Sequence, residues 1–277
     1  MNGKQLKDRL KNYANEKGVE FNAVLRLYMY ERFIERLSKS RYKDNFIIKG
    51  GFYLSVLFGI ENRTTMDTDT EFRNFDFTEI NIINMITEII HIELDDDSKL
   101  NYLGIQQIRD EDEYGGFRVD ILVEIGNIKE KFHVDIATGD PIVPQEISYT
   151  YKSIINQKDI EVWAYSIETV LSEKIETVLR RAEANGRMRD YYDIYLIYTR
   201  DWQFIDQNVF KRALETVFKK REFKKDPISV LDSIMDSNEL MIRWKAYQRK
   251  YQYVKKVELS NIIKIISAML IGIQENE

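Results

Sequence analysis

Apolar positions recur at helical spacing near the start of the chain. Residues 4–17 and 21–38 read as two helices, the second with Leu25, Tyr28, Met29, Phe33 and Leu37 on one stripe. The pattern then shortens. Asn45 to Lys49 is a compact apolar run ended by Gly50-Gly51, as expected for a buried strand entering a turn. Residues 52–59 predict a helix with Gly59 as its C-terminal cap, and 65–74 a strand. Another helix is expected over 80–92, followed by strands at 105–109, 116–124 and 131–137, with Gly139-Asp140-Pro141 closing the block. From Ser166 onward the spacing is almost wholly helical, so a boundary falls within 145–165. The predicted organisation is an N-terminal α/β domain with a mixed sheet over 1–155 and an all-α domain over 156–277.

Composition narrows this reading. The chain of 277 residues is 44% hydrophobic and 31% charged, with 3 prolines and no cysteine. It can bury a core, and it excludes a disulfide framework or thiolate metal site. The absence of cysteine suits a reducing compartment, and a cytoplasmic location is expected. The richest apolar stretch, Ile262 to Ile273, is short and interrupted by Lys264, so it reads as a buried helix rather than a membrane span. Net charge is −5, unevenly placed. Residues 66–165 carry 22 acidic and 8 basic side chains, whereas 211–256 carry 13 basic and 6 acidic. The first stretch suits cation binding and the second a polyanion, although uneven surface charge alone would look the same.

The chemistry concentrates between Lys49 and Phe72. Two glycines after an apolar strand let backbone N–H groups approach an anion, and the next helix aims its N-terminus at the same place. Asp67 and Asp69, two apart on the following strand, should share a face and offer hard oxygen ligands to Mg²⁺ or Mn²⁺. A phosphate cradle beside paired carboxylates is what metal-assisted nucleotidyl transfer from an NTP requires. Asp135 is the candidate third metal ligand and Asp120 its competitor; solvated strand-end aspartates are the bland reading. His91 and His133 receive no role, His133 being placed away from Asp135.

A second cluster spans Tyr165 to Tyr198. Ser166 is a good N-cap. Lys174 falls inside the apolar arc of the helix that follows, at a desolvation cost unless an anion meets it. Asp190 falls on the apolar side of the next helix and Asp193 at its edge. Lys174 and the aspartates should therefore meet each other, as a structural ion pair, or meet a ligand. The tyrosines at 191, 192, 195 and 198 read as core. The segments 218–225 and 243–256 interleave aromatic and basic residues, as RNA-contacting segments do and as solvated helix faces also do.

The Lys49-Gly50-Gly51 turn with "RTTMDTD" from Arg63 to Asp69, and the block "EKIETVLRR…RMRDYYDIYLIY", resemble the polymerase-β-type nucleotidyltransferases and, more narrowly, the AbiEii/AbiGii toxins of abortive-infection toxin–antitoxin systems. The resemblance covers roughly residues 20–200. It implies nucleotide contacts from Lys49, Gly50, Gly51, Arg63 and Asp193, a triphosphate contact from Lys174, and a role for Asp190 on the attacking hydroxyl or in orienting Lys174. It also implies an active site in the cleft between the domains, a tRNA acceptor, a separate antitoxin protein and a part in phage defence. Phe52 departs from the superfamily pattern, in which a Ser or Thr follows the glycines. The competing readings are a nucleotide-binding module without catalysis and a transferase that AMP-ylates protein.

Overall fold

A computed structural model describes residues 3–64, 68–108 and 115–275. The chain divides into two compact units, one formed by residues 1–140 and 146–165 and the other by 141–145 and 166–277.

The first unit begins with helices α1 (Gly3–Lys17) and α2 (Phe21–Lys39). Then come β1 (Phe46–Lys49), α3 (Gly50–Phe58), β2 (Thr68–Phe72), α4 (Glu79–Ile90), β3 (Lys99–Ile108), β4 (Gly116–Ile125), β5 (Ile128–Ala137), β6 (Ile147–Lys152) and β7 (Asp159–Ala164). The strands form one mixed sheet in the order β3-β4-β5-β2-β1-β7-β6, with β2 parallel to β5 and β1 parallel to β7. The α/β expectation for this part therefore holds. β3 starts earlier than its apolar pattern suggested, because Lys99 to Tyr102 already pair with β4, with only Leu100 of the four buried.

Alternation divides the central strands into two faces. Val119, Ile121 and Val123 of β4 and Phe132, Val134 and Ile136 of β5 are buried. Tyr30 and Phe33 of α2 pack edge-on against Phe132, with ring centroids 5.0 and 6.2 Å away. Each such side chain contributes about 1.5–3 kcal/mol by leaving water. The opposite face carries Arg118, Asp120, His133 and Asp135. His133 thus shares the face of Asp135. The expectation that it points away is corrected, because positions two apart on a strand lie on the same side.

α2 is buried over Tyr28–Leu37, charged residues included. Arg32 lies 2.6 Å from Glu31, 2.7 Å from Glu35 and 2.8 Å from Asp96. Glu31 also accepts the N–H of Ile154 at 2.8 Å, and Arg36 donates to the carbonyl of Ser98. These bonds tie the β6–β7 hairpin and the acidic turn before β3 to one helix.

The second unit is helical: α5 (Ile167–Arg181), α6 (Met188–Asp201), α7 (Gln207–Lys220), α8 (Pro227–Met235), α9 (Asn238–Lys250) and α10 (Leu259–Glu275). Ser166 caps α5 by accepting the Thr169 N–H, as its sequence position predicts, and Asp206, Asp226 and Ser237 cap α7, α8 and α9. Tyr191 and Tyr192 are core, but Tyr195 and Tyr198 are half-exposed, which corrects the reading of all four as buried. No helix among the described residues is long and apolar enough to cross a membrane.

Candidate active site

The sequence ends β1 at Lys49 and starts α3 at Gly50, whose φ is +65°. That left-handed conformation favours glycine. A second reason is steric. A Cβ at Gly50 would lie 2.0 Å from Oδ2 of Asp69, so the bare backbone lets that carboxylate rest against the first turn of α3. Lys49, the N-cap, offers no side-chain cap to the helix, whose opening N–H groups and dipole favour a negative charge.

Register sets the neighbours of Asp69. It pairs with Lys49 across β1 and with Asp135 across β5, so two carboxylates stand side by side on one face of the sheet. Both oxygens of Asp135 are held by Arg118, whose Nε and Nη2 donate at 2.7 and 2.6 Å in a two-pronged ion pair. Asp120 lies on the same face and pairs with Lys131 at 2.8 Å. Asp67 lies outside the described residues. Among the described residues, no group of three or more acidic or histidine side chains is placed to hold a metal. The donor chemistry nonetheless suits a hard divalent cation, because Asp69 and Asp135 supply oxygens on adjacent strands.

Lys49 is engaged more deeply than its position in the turn suggested. Its ammonium lies 2.7 Å from Asp140, 3.2 Å from Glu71 and 3.4 Å from the Tyr165 hydroxyl. Glu71, two residues after Asp69, is fully buried and also accepts the Asp140 N–H at 2.9 Å. Burial pushes its carboxyl above the usual range, against the pull of Lys49. Arg63 is 2% exposed, with Nη1 donating to the Thr64 carbonyl.

In the second unit, Lys174 meets both expected aspartates. Its Nζ is 3.0 Å from Asp190 and 2.7 Å from Asp193, and Arg187 reaches the other oxygen of Asp190 at 2.7 Å. Lys174 is 9% exposed and Asp193 wholly buried, so the ion pairs cross-link α5 to α6 away from water. Arg118, Glu71, Asp140, Tyr165 and Arg187 were not singled out by the sequence. Glu71 was open to the same two-residue spacing that linked Asp67 to Asp69, whereas Arg118 needs the β4–β5 register.

The family model for the nucleotidyl transferase AbiEii toxin of type IV toxin–antitoxin systems matches residues 32–258. This chain belongs to that family. The resemblance read from the Lys49–Asp69 and 165–198 blocks is thereby borne out. Solved structures agree at the level of the fold. JHP933 from Helicobacter pylori aligns with TM-score 0.52 at 14% identity, covering 93% of this chain and 94% of its own. A Helicobacter pylori structure provisionally assigned as a nucleotidyltransferase aligns with TM-score 0.53 at 13% identity, covering 93% and 97%. No protein with a curated description matches the sequence.

Proposed function

We propose that this AbiEii-family chain transfers a nucleoside monophosphate from an NTP to an acceptor hydroxyl of RNA, with tRNA as the acceptor class. The observation that carries the reading is the Asp69 carboxylate resting against Gly50 at the start of α3, with Asp135 beside it in register. Asp69, Asp135 and Asp67 would hold Mg²⁺, which supplies charge neutralisation of the phosphates and activation of the attacking oxygen. Gly50 and Gly51 present backbone N–H groups to phosphate. Lys49, held by Glu71 and Asp140, keeps positive charge beside the turn, and Arg63 is proposed as a further nucleotide contact. In the second unit, Lys174, paired with Asp190 and Asp193, is proposed as a phosphate-binding cation.

The acceptor oxygen bonds to the α-phosphorus, the bond from that phosphorus to the β-phosphate bridge breaks, and pyrophosphate leaves. The hydroxyl proton passes to a carboxylate; Asp190 is proposed either for that step or to orient Lys174. As a toxin of this family, the chain would be countered by a separate antitoxin protein.

The test incubates purified protein with each labelled NTP, Mg²⁺ and total tRNA. Label should enter RNA with wild-type protein and fall at least about 100-fold with Asp69→Ala, a loss in the range expected for removing charge stabilisation at a reacting centre. Nucleotide binding without pyrophosphate release would leave a binding module, and label in polypeptide would point to protein AMP-ylation.

A further inference from the structure

Four strand ends of the first unit meet at one ammonium. Lys49 closes β1, Glu71 lies near the end of β2, Asp140 follows β5 and Tyr165 follows β7. The register explains the meeting. Glu71 stands opposite Ile47 on β1 and Ala137 on β5, two positions from Asp69 and on the same face. The long Lys49 side chain spans the diagonal to Glu71, and Asp140, just past Ala137, bends back to it. Tyr165 arrives from the other side of β1, its N–H donating to the Ile48 carbonyl at 3.0 Å.

Glu71 touches each of the other three. Its Oε2 is 3.2 Å from Lys49 Nζ and 3.4 Å from the Tyr165 hydroxyl, while its Oε1 accepts the Asp140 N–H at 2.9 Å. Lys49 Nζ also lies 2.7 Å from Asp140 Oδ2 and 5.3 Å from the centre of the Tyr165 ring. Glu71 and Tyr165 are wholly buried. A flexible lysine side chain is thus anchored in a fixed frame, and its backbone stands directly before Gly50, where φ is +65°. A turn of two glycines has many conformations open to it. Anchoring residue 49 narrows them before a ligand arrives, which lowers the ordering cost of binding.

We infer that Glu71 is a positioning residue, which acts through Lys49 to hold the Gly50–Gly51 turn in its phosphate-receiving form. The inference rests on the nucleotide site proposed above. Glu71 itself meets no phosphate; it anchors the lysine that enters the turn. Asp69, two residues earlier on the same strand, rests against the turn. One strand therefore supplies both the carboxylate that meets the turn and the carboxylate that braces it. Acting through Lys49 has a signature that a merely structural ion pair lacks. Glu71 then matters to phosphate binding only while Lys49 is there.

The experiment is isothermal titration calorimetry with Mg²⁺ and inorganic tripolyphosphate, which carries the phosphate chain without a base and needs no turnover. Glu71→Gln keeps an oxygen for the Asp140 N–H but turns an amide NH₂ toward Lys49, so it should weaken binding about tenfold. Lys49→Met should weaken it at least as much, and Glu71→Gln/Lys49→Met should bind no more weakly than Lys49→Met alone. Thermal unfolding reports whether each variant is folded. Should Glu71→Gln not fold, Glu71→Asp retracts the charge by a single methylene and should weaken binding by about threefold or more with Lys49 present, with no further loss in its absence. Wild-type affinity in the Glu71 variants, an equal loss with and without Lys49, or no binding by the wild type would overturn the inference. A protein that labels RNA from an NTP without this coupling keeps the transferase reading and loses the role of Glu71. One that shows the coupling but labels no acceptor does the reverse.

Discussion

The pair formed by Arg118 and Asp135 sets the terms on which a cation reaches this sheet. A carboxylate that already accepts two guanidinium hydrogen bonds has little left for a metal, so the two cations compete for Asp135. Replacing Arg118 with Met should therefore tighten Mn²⁺ binding in the absence of nucleotide, by about tenfold if the partly exposed pair is worth about 1.4 kcal/mol. Electron paramagnetic resonance of free Mn²⁺ reads this directly, and an unchanged or weaker affinity would show that Asp135 does not serve as a ligand. The sequence disclosed the acids but not their present occupation. Gly50, Asp69 and Asp135 were visible because chemistry at a phosphate uses few residue types in a short span. Arg118 stayed hidden because its partner is set by strand register, which no local pattern encodes.

Among the elements, α2 was read as a helix from its apolar stripe, which by itself would leave the charged residues between facing water. Instead Glu31, Arg32, Glu35 and Arg36 are buried, since the β6–β7 hairpin and the turn at Asp96 close over them. Neither strand was read from the sequence: Ile147–Lys152 is mostly exposed, and Asp159–Ala164, although it alternates, is only six residues long. Burial pushes the Glu31 carboxyl from 4.5 up to about 7, against the opposing pull of Arg32. The folded chain therefore holds this proton more tightly than the unfolded chain. The contribution to stability is fully present below about 4.5 and is lost as the pH rises through about 7. Arg32, Glu35, Asp96, Tyr28 and Tyr151 surround the group. Asp96, held below its ordinary value by Ser98 and Arg32 despite burial, acts in the opposite sense at lower pH. Urea unfolding at about pH 5 and about pH 7.5 should show a fall of about 1–3 kcal/mol for the wild type, and Glu31→Gln should remove most of that difference.

For the molecule as a whole, the family match and the mixed sheet accord with the α/β-plus-helical organisation read from the apolar periodicity. That periodicity survives in single residues: the stripe of α2 meets the sheet through Phe132, and the caps at Ser166 and Ser237 lie where the helices begin. Membership in a toxin family makes a prediction at this scale. Induced expression in a growing bacterium should arrest growth, and Asp69→Ala, accumulating to the same level, should relieve it; arrest by both proteins would sever toxicity from the Gly50–Asp69 site.

The aromatic rings of α9 have an optical consequence. Light absorbed by Tyr251 or Tyr247 lies within easy resonance distance of Trp244, whose indole donates to the Val257 carbonyl at 2.9 Å inside the core. Part of the excitation entering those half-buried rings therefore passes inward to the Trp244 indole, so that the emission of a core residue reports on rings nearer the surface.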